Sequence, residues 1–389
     1  MLRTLFLAAL AACTVGDAYN DEDTAAEDQF LADVTPDTAQ EDADFDLGDS
    51  GLDPATVETQ PMPFGVTMYR NPVKDPQGAP MTCPDPSVVD APRNGFRYFL
   101  VCTSDHDANS FPIRKSKDLV HWVNVGYVFP RGHHPSWAKT PETGGRYWAP
   151  EIYRIAGTWV VYFAANRHDG QMEIGVATAT ALRGPWSSHV LHHSGEFNAI
   201  NDSHHQEVSG GVIDPSVQRG LDGNLYLYYC KQSNQIWGGR LSADGLTLHS
   251  DIQFLFGVNQ GWEHDKQGNG VTEGPEPFLA NGTYYLIYSG ASTWDGSYAL
   301  GVAASNNPLG PFTKHDGPIL HSGRGFIAPG HSSHPVRGPN GQLYLLYHSL
   351  REPSHVSNDR KLMLDRFDFQ GMWPIVHDGE PSSGAKVIP

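Results

Sequence analysis

Thr272-Glu-Gly-Pro-Glu-Pro-Phe-Leu-Ala-Asn-Gly-Thr-Tyr-Tyr-Leu-Ile-Tyr-Ser289 contains, in order, an acidic motif, an apolar run, an Asn-Gly turn and an aromatic-rich strand pattern. Its last part, Tyr285-Leu-Ile-Tyr-Ser289, is one of five similar runs. The others are Tyr98-Phe-Leu-Val-Cys102, Trp159-Val-Val-Tyr-Phe163, Tyr226-Leu-Tyr-Tyr-Cys230 and Tyr344-Leu-Leu-Tyr-His348, and successive runs start 61, 67, 59 and 59 residues apart. A turn signal precedes each: Asn94-Gly95, Ala156-Gly157, Asp222-Gly223, Asn281-Gly282 and Asn340-Gly341. Upstream of each turn lies a motif at Asp85, Tyr147-Trp148, Asp214, Glu273 or His331. A further marker recurs later in the unit, in Lys117-Asp-Leu-Val-His-Trp122, Leu182-Arg-Gly-Pro-Trp186 and Leu309-Gly-Pro-Phe312.

A unit of this length holds about four strands and cannot bury its apolar faces alone, so it needs a neighbour on each side. Five units closed into a ring cover most of their edges. The expected fold is therefore all-β, a single five-bladed β-propeller over residues 61–389. A β-sandwich would have to produce five motif, turn and strand sets in one order by chance. Composition agrees, since 41 Gly and 29 Pro punctuate a chain rich in aromatics, as expected of many short strands joined by tight turns.

The formal charge of −18 is concentrated near the start. Residues 14–60 hold 15 Asp or Glu and no Lys or Arg, which leaves residues 61–389 with a net charge of −4. A nearly neutral folded part argues against nucleic acid as a partner. Residues 14–60 have too few large apolar groups to offset the entropy of ordering and read as a disordered acidic tether. Residues 1–13 read as a signal peptide, because one basic residue precedes an apolar run too short to span a bilayer. The run ends Leu10-Ala-Ala-Cys13, similar to the lipobox of bacterial lipoproteins. A secreted protein held to a bacterial membrane only through a lipid on Cys13 is the expectation.

Three other cysteines remain, Cys83, Cys102 and Cys230, and an odd number cannot all pair within one chain. A hairpin turning at Asn94-Gly95 places residue 83 opposite about residue 106, so a bridge from Cys83 to Cys102 is expected to be out of register.

Asp85, Asp214 and Glu273 occupy corresponding places in three repeats, and a ring brings such places together around one axis. Inverting cleavage of a glycosidic bond needs a carboxylic acid for the leaving oxygen and a carboxylate to activate water on the other face. A third carboxylate beside the acid raises its pKa by like-charge repulsion. Taken singly, each Asp-Pro is a common turn starter; it is the shared place in the repeat that favours chemistry.

Pro84-Asp-Pro-Ser87, Tyr147-Trp-Ala-Pro-Glu151, Ile213-Asp-Pro-Ser216, Thr272-Glu-Gly-Pro275, Pro329-Gly-His-Ser332 and Gly371-Met-Trp-Pro374 together resemble glycoside hydrolase family 43 over nearly all of residues 80–376. The resemblance implies a five-bladed propeller that hydrolyses arabinose- or xylose-containing plant polysaccharides with inversion. It implies Asp85 as general base, Asp214 as pKa modulator and Glu273 as general acid. Arabinan, arabinoxylan and xylan-derived oligosaccharides are the expected partners, with α-L-arabinofuranosidase as the first reading and β-xylosidase or endo-arabinanase beside it. A catalytically inactive glycan-binding propeller is the alternative from another class.

Trp148 is a candidate sugar-stacking face, with packing between blades as its other role. Glu276, where the family motif requires no carboxylate, is expected as a substrate-side or surface group. Arg360 is a loosely matched candidate for substrate contact. No cofactor is expected for the chemistry, and His331 matches a histidine that in the family often contacts a structural calcium or sodium ion near the axis. Hard cations prefer oxygen ligands, so a lone histidine is a poor calcium ligand by type. Pro335 removes the helical geometry that a zinc reading of His331-Ser-Ser-His334 would need. The doublets His133-His134, His192-His193 and His204-His205 read as loop residues.

Overall fold

The computed structural model describes residues 68–193, 211–231, 233–249, 252–351 and 359–389. The expected signal peptide and acidic tether lie outside these residues, as do His204 and His205. The protein is a five-bladed β-propeller. Each blade is an antiparallel sheet whose first strand is Ser87–Arg93, Tyr147–Ile155, Val212–Arg219, Thr272–Ala280 or Phe326–Gly330. Four blades have four strands, and the fifth adds the short strand Val336–Arg337. First strands of the first four blades touch one another in order, and Phe326–Gly330 of the fifth touches Ala299–Ser305 of the fourth.

The five aromatic runs are the second strands. Thr158–Asn166 is buried from Trp159 to Ala165, the continuous pattern of a strand covered on both faces. Its turn and those at Asn94-Gly95 and Asn281-Gly282 have both residues at positive φ, the mirror-image turn that matches strand twist. The apolar core lies between blades. Phe99 of the first blade meets Trp159 of the second at 5.3 Å, while Val88 and Tyr98 of the first share a cluster with Leu346 and Leu364 of the fifth. Burying each such side chain contributes about 1.5–3 kcal/mol, so no blade is stable without its neighbours.

Four of the first strands share one irregularity, and the first blade has its counterpart at Asp85, just before its strand. Ile213 pairs with Cys230 and Ser216 with Tyr228, so the first strand carries one extra residue between them. The same slip separates Trp148 from Glu151, Glu273 from Glu276 and Ile327 from Gly330. At each bulge a residue with positive φ stands before a proline: Asp85, Ala149, Asp214, Gly274 and Ala328. Left-handed backbone outside glycine is strained and persists where packing fixes it.

This bulge corrects the expectation for Cys83. Thr103 N–H donates to Pro84 O, and beyond the turn at Asp85 the chain leaves the first sheet, with Cys83 N–H donating to Arg360 O of the last blade. The straight-hairpin register is thus broken twice, between Asp90 and Arg93 and again at Asp85. Cys83 is brought back beside Cys102, with 5.1 Å between Cα atoms, and the two form a disulfide. Cys230 is free and buried.

The ring is closed by the segment before the first blade. Val73 N–H donates to Leu362 O and Leu362 N–H to Met81 O, and Met68–Tyr69 pairs with Lys386–Val387. Asn71 is the buried clamp. Its amide nitrogen is 3.0–3.1 Å from Leu364 O, Asp365 Oδ2 and Ser382 Oγ, and its Oδ1 accepts Leu364 N–H at 2.9 Å. Asn71→Ala leaves several of these groups buried and unpaired, so we expect a loss of about 2–3 kcal/mol. Urea unfolding measures it, and an unchanged midpoint would show that closure does not depend on the clamp.

Candidate active site

The bulges aim selected side chains at one mouth of the ring. Asp85 and Asp214 are equivalent, each the left-handed residue before its proline, and are 6% and 7% exposed. Glu273 does not share their place. Gly274 stands there, and Glu273 is one residue nearer the mouth, equivalent to Trp148. That offset leaves Glu273 less deeply buried than the two aspartates. The acids nevertheless converge, because Gly274 N–H donates to Asp214 Oδ2 at 2.9 Å and His331 Nδ1 lies 3.3 Å from Asp85 Oδ1. A Cβ on Gly274 would meet His331 Nδ1 at 3.1 Å, which closes the circuit from Asp214 to Asp85.

Their protonation differs. Burial alone would raise the Asp85 pKa, but Arg360, His331 and His348 outweigh it and hold the carboxyl well below the usual range. Arg360 Nη1 is 2.6 Å from Asp85 Oδ1, so this arginine is neither freely solvated nor loosely placed. Asp214 is pushed well above its ordinary value by burial, then by Glu273 and Asp85. Glu273 is also raised, by burial first, against the pull of a hydrogen bond from Tyr298. One carboxyl with a lowered pKa thus faces two with raised ones.

Two residues escaped the sequence reading. Tyr298 O–H donates to Glu273 Oε1 at 2.7 Å. Its ring lies parallel to the imidazole of His348, with centroids 5.9 Å apart. His348 is buried, accepts Asp85 N–H on Nδ1 at 3.2 Å and has its pKa lowered to about 3, chiefly by burial. A neutral His348 and Tyr298 therefore connect the backing of Asp85 to that of Glu273. Gly330 clears space for the Tyr298 ring, since any Cβ there would overlap it. A signal for His348 existed: in the other blades the residue opposite the bulge is Val101, Tyr162, Tyr228 or Ile287, an apolar or aromatic row that histidine interrupts.

Tyr298→Phe removes a bond that favours ionised Glu273. Its pKa should rise further, moving the alkaline limb of the kcat/KM profile to higher pH while the acid limb stays. A profile unchanged on both limbs would show that Tyr298 does not tune the acid.

The other sequence candidates fall in different places. Trp148 is half-buried at the mouth, where its indole N–H donates to Asp105 Oδ1 at 2.9 Å and Arg146 stacks 5.3 Å from its ring. Glu276, expected on the substrate side or the surface, is 3% exposed and lies 3.4 Å from His334 Nδ1. The bulge explains the difference, for it turns the residue after each proline inward. In the second blade that residue is Glu151, which accepts Ser87 O–H at 2.6 Å and Tyr153 O–H at 3.3 Å. Of the histidine doublets, His134 packs on Tyr147 and Phe129 and bonds Ser110, and the side chains of His192 and His193 lie outside the description.

Burial, then the charge of Glu276, pushes the Glu151 carboxyl well above its usual range, and burial does the same to Glu276. A carboxyl that holds its proton more tightly when folded costs stability as pH rises above the unfolded carboxylate pKa. Glu151→Gln has no such proton. We expect its stability relative to wild type to climb between pH 4 and pH 8 by on the order of 1 kcal/mol, measured by urea unfolding at both pH values. A constant difference would refute the shift.

The donor set near His331 does not suit a hard cation. Its Nδ1 faces Asp85, which Arg360 already neutralises, and its N–H donates to Ser289 Oγ. Among the described residues no group of three or more His, Cys, Asp or Glu is arranged to hold a metal ion. No step is routed through one.

One carboxyl with a lowered pKa and two with raised ones, gathered at the mouth of a five-bladed propeller, match what cleavage of a glycosidic bond requires. The family model for glycosyl hydrolases family 43 matches residues 69–374. The chain belongs to that family. It is 22% identical to an extracellular endo-α-(1→5)-L-arabinanase of Thermotoga petrophila, over 77% of this chain and 72% of the relative. It is 24% identical to an extracellular exo-α-(1→5)-L-arabinofuranosidase of Cellvibrio japonicus, over 75% and 86%. A xylan 1,3-β-xylosidase of Vibrio is 28% identical over 61% of this chain, which spans only 42% of that longer protein. Among solved structures, a thermostable family-43 glycoside hydrolase superposes with a TM-score of 0.66 at 26% identity, covering 81% of this chain and 98% of the other.

Proposed function

We propose that this glycosidase releases arabinose from arabinan or arabinoxylan by inversion, as an exo-acting α-L-arabinofuranosidase. The observation that carries the mechanism is the contrast between Asp85, paired with Arg360 and lowered in pKa, and the buried Asp214 and Glu273, both raised. Asp85, charged and fixed by Arg360, takes a proton from water as it attacks the anomeric carbon. Glu273, the least buried of the three, gives its proton to the leaving oxygen. Asp214, held by Gly274 N–H and itself raised by burial and by Glu273, is the modulating carboxyl beside the acid. Trp148 offers its face to a sugar at the mouth. Exo-arabinofuranosidase is the first reading; endo-arabinanase and β-xylosidase are the neighbouring specificities, and relatives of each kind match to a similar extent.

Aryl α-L-arabinofuranosides and β-D-xylosides, with NMR of the first-formed anomer, test this directly. Inverted arabinose supports it; retained configuration overturns the mechanism, and release of xylose alone overturns the sugar. Absence of release from any substrate, with glycan binding intact, would make the protein a binding module. We also propose export, in line with the extracellular relatives and the apolar leader, with lipid attachment at Cys13. Mass spectrometry of the mature N-terminus reads it, and an unmodified terminus dismisses the anchor.

A further inference from the structure

Asp85 stands on a seam of the ring. The chain ahead of it is pinned to the last blade: Leu362 N–H donates to Met81 O, Thr82 pairs with Lys361, and Cys83 N–H donates to Arg360 O at 3.1 Å. The chain after it belongs to the first blade, where Ser87 pairs with Val101. Consecutive blades are joined by the chain, but the last is held to the first by packing and hydrogen bonds, so this seam is where the ring opens most easily. Asp85 crosses it with φ of 48° before Pro86. Left-handed backbone at such a place persists when its neighbours fix it.

One covalent tie spans the turn. Cys83, two residues ahead of Asp85, is bonded to Cys102, just past the second strand of the first blade, and both are buried. Arg114 Nη1 lies 3.1 Å from Cys102 Sγ and braces the far side of the bridge. The next residue, Thr103, donates its N–H to Pro84 O and accepts Ala149 N–H on Oγ1 at 2.7 Å. Cys83 therefore moves with the first blade although its backbone bonds to the last. Arg360 carries the same tie to the site, since its carbonyl holds Cys83 N–H while its guanidinium reaches Asp85 Oδ1 at 2.6 Å.

We propose that the Cys83–Cys102 bridge is a positioning element for the base, holding the Asp85 turn and its Arg360 partner in register across the seam. Its effect on turnover rests on the reading of Asp85 as base; its effect on the Asp85–Arg360 pair does not. Asp85 is faced by Arg360, by the imidazoles of His331 and His348, and by the carboxyls of Asp214, Glu273 and Glu151. Of these, Arg360 is the one hydrogen-bonded to Cys83. Burial raises the Asp85 pKa and Arg360 is the strongest influence against it, so loosening the pair moves the acid limb of kcat/KM to higher pH. The alkaline limb, set by Glu273 and Tyr298 in the fourth blade, stays.

Two double variants, Cys83→Ala with Cys102→Val and Cys83→Ser with Cys102→Ser, remove the bridge with different packing. We expect kcat to fall about 10–100-fold on polymer and aryl glycoside alike, as for a reacting group misplaced by about 1 Å, with KM nearly unchanged and the acid limb raised. Asn71→Ala, which weakens closure with the bridge intact, should leave both limbs in place; an equal shift there overturns the proposal. Wild-type protein reduced by dithiothreitol, in urea below its unfolding midpoint, repeats the test without a packing change. The dithiol gives the bridge two electrons and two protons and leaves as a cyclic disulfide, and the protein gains the mass of two hydrogens. Full activity and an unmoved acid limb with both thiols free overturn the proposal. Carbon-13 NMR of the Asp85 carboxyl, assigned with Asp85→Asn, reads the pair without turnover. Its pKa should rise in the double variants, and an unmoved carboxyl overturns the role of the bridge. A raised carboxyl pKa with wild-type kcat and limbs leaves that role standing and overturns the reading of Asp85 as base.

Discussion

Glu273→Ala is expected to lower turnover on oligosaccharides and polymers by roughly 10²–10⁴-fold, the usual worth of a positioned acid, and to lower it much less on aryl glycosides. The asymmetry is the informative part. A sugar alkoxide is a poor leaving group and needs a proton as the bond breaks, whereas an activated phenolate departs with little help. The geometry supports this role, since Glu273 combines a raised pKa with the position nearest the mouth. Equal losses on both substrate types would remove it from the acid's role and point to Asp214 or to a folding defect. Urea unfolding of the variant separates the last of these.

Asp85→Ala should abolish turnover whatever the leaving group, with a loss of about 10³-fold or more, because both natural and activated substrates need the water to be deprotonated and aimed. Asp85 is the strongest candidate for this work in electrostatic terms. Arg360 on one oxygen keeps the carboxylate charged at a depth where burial alone would neutralise it. The same arrangement places a cost on the variant, since Arg360 loses its buried partner. Asp85→Asn is therefore the useful companion: it keeps the shape and cannot act as base. An active Asp85→Asn would refute the assignment.

The fold was legible in the sequence because a propeller repeats its instructions. Five turn-and-strand sets can be aligned by eye, and each second strand is a run of buried residues that has no other use. The site was legible only in part. Asp85, Asp214 and Glu273 do come together, but Glu273 stands one residue before the equivalent place, an offset marked by the recurring proline at 86, 150, 215, 275 and 329. The same bulge hid the Cys83–Cys102 bridge, since register was extrapolated through a residue whose backbone is left-handed. Glu276 was misplaced for that reason too. Tyr298 depends on a contact across its own blade and Arg360 on one between the last blade and the first, 25 and 275 residues from their partners, and no local pattern announces such pairs.

The closure of the ring by Asn71 has a consequence in time. Its partner Ser382 is 311 residues further along, a distance that a ribosome covers in about 15–60 s at about 5–20 residues per second. During that interval the earliest segment of the propeller has no strand to join, and contacts of such high sequence separation are the slow ones in folding. Blades can stack as they emerge, yet the toroid is secured by its last-made residues acting on its first-made ones. Loss of a few residues at the C-terminus would thus be felt in the first blade, beside Asp85, as directly as in the fifth.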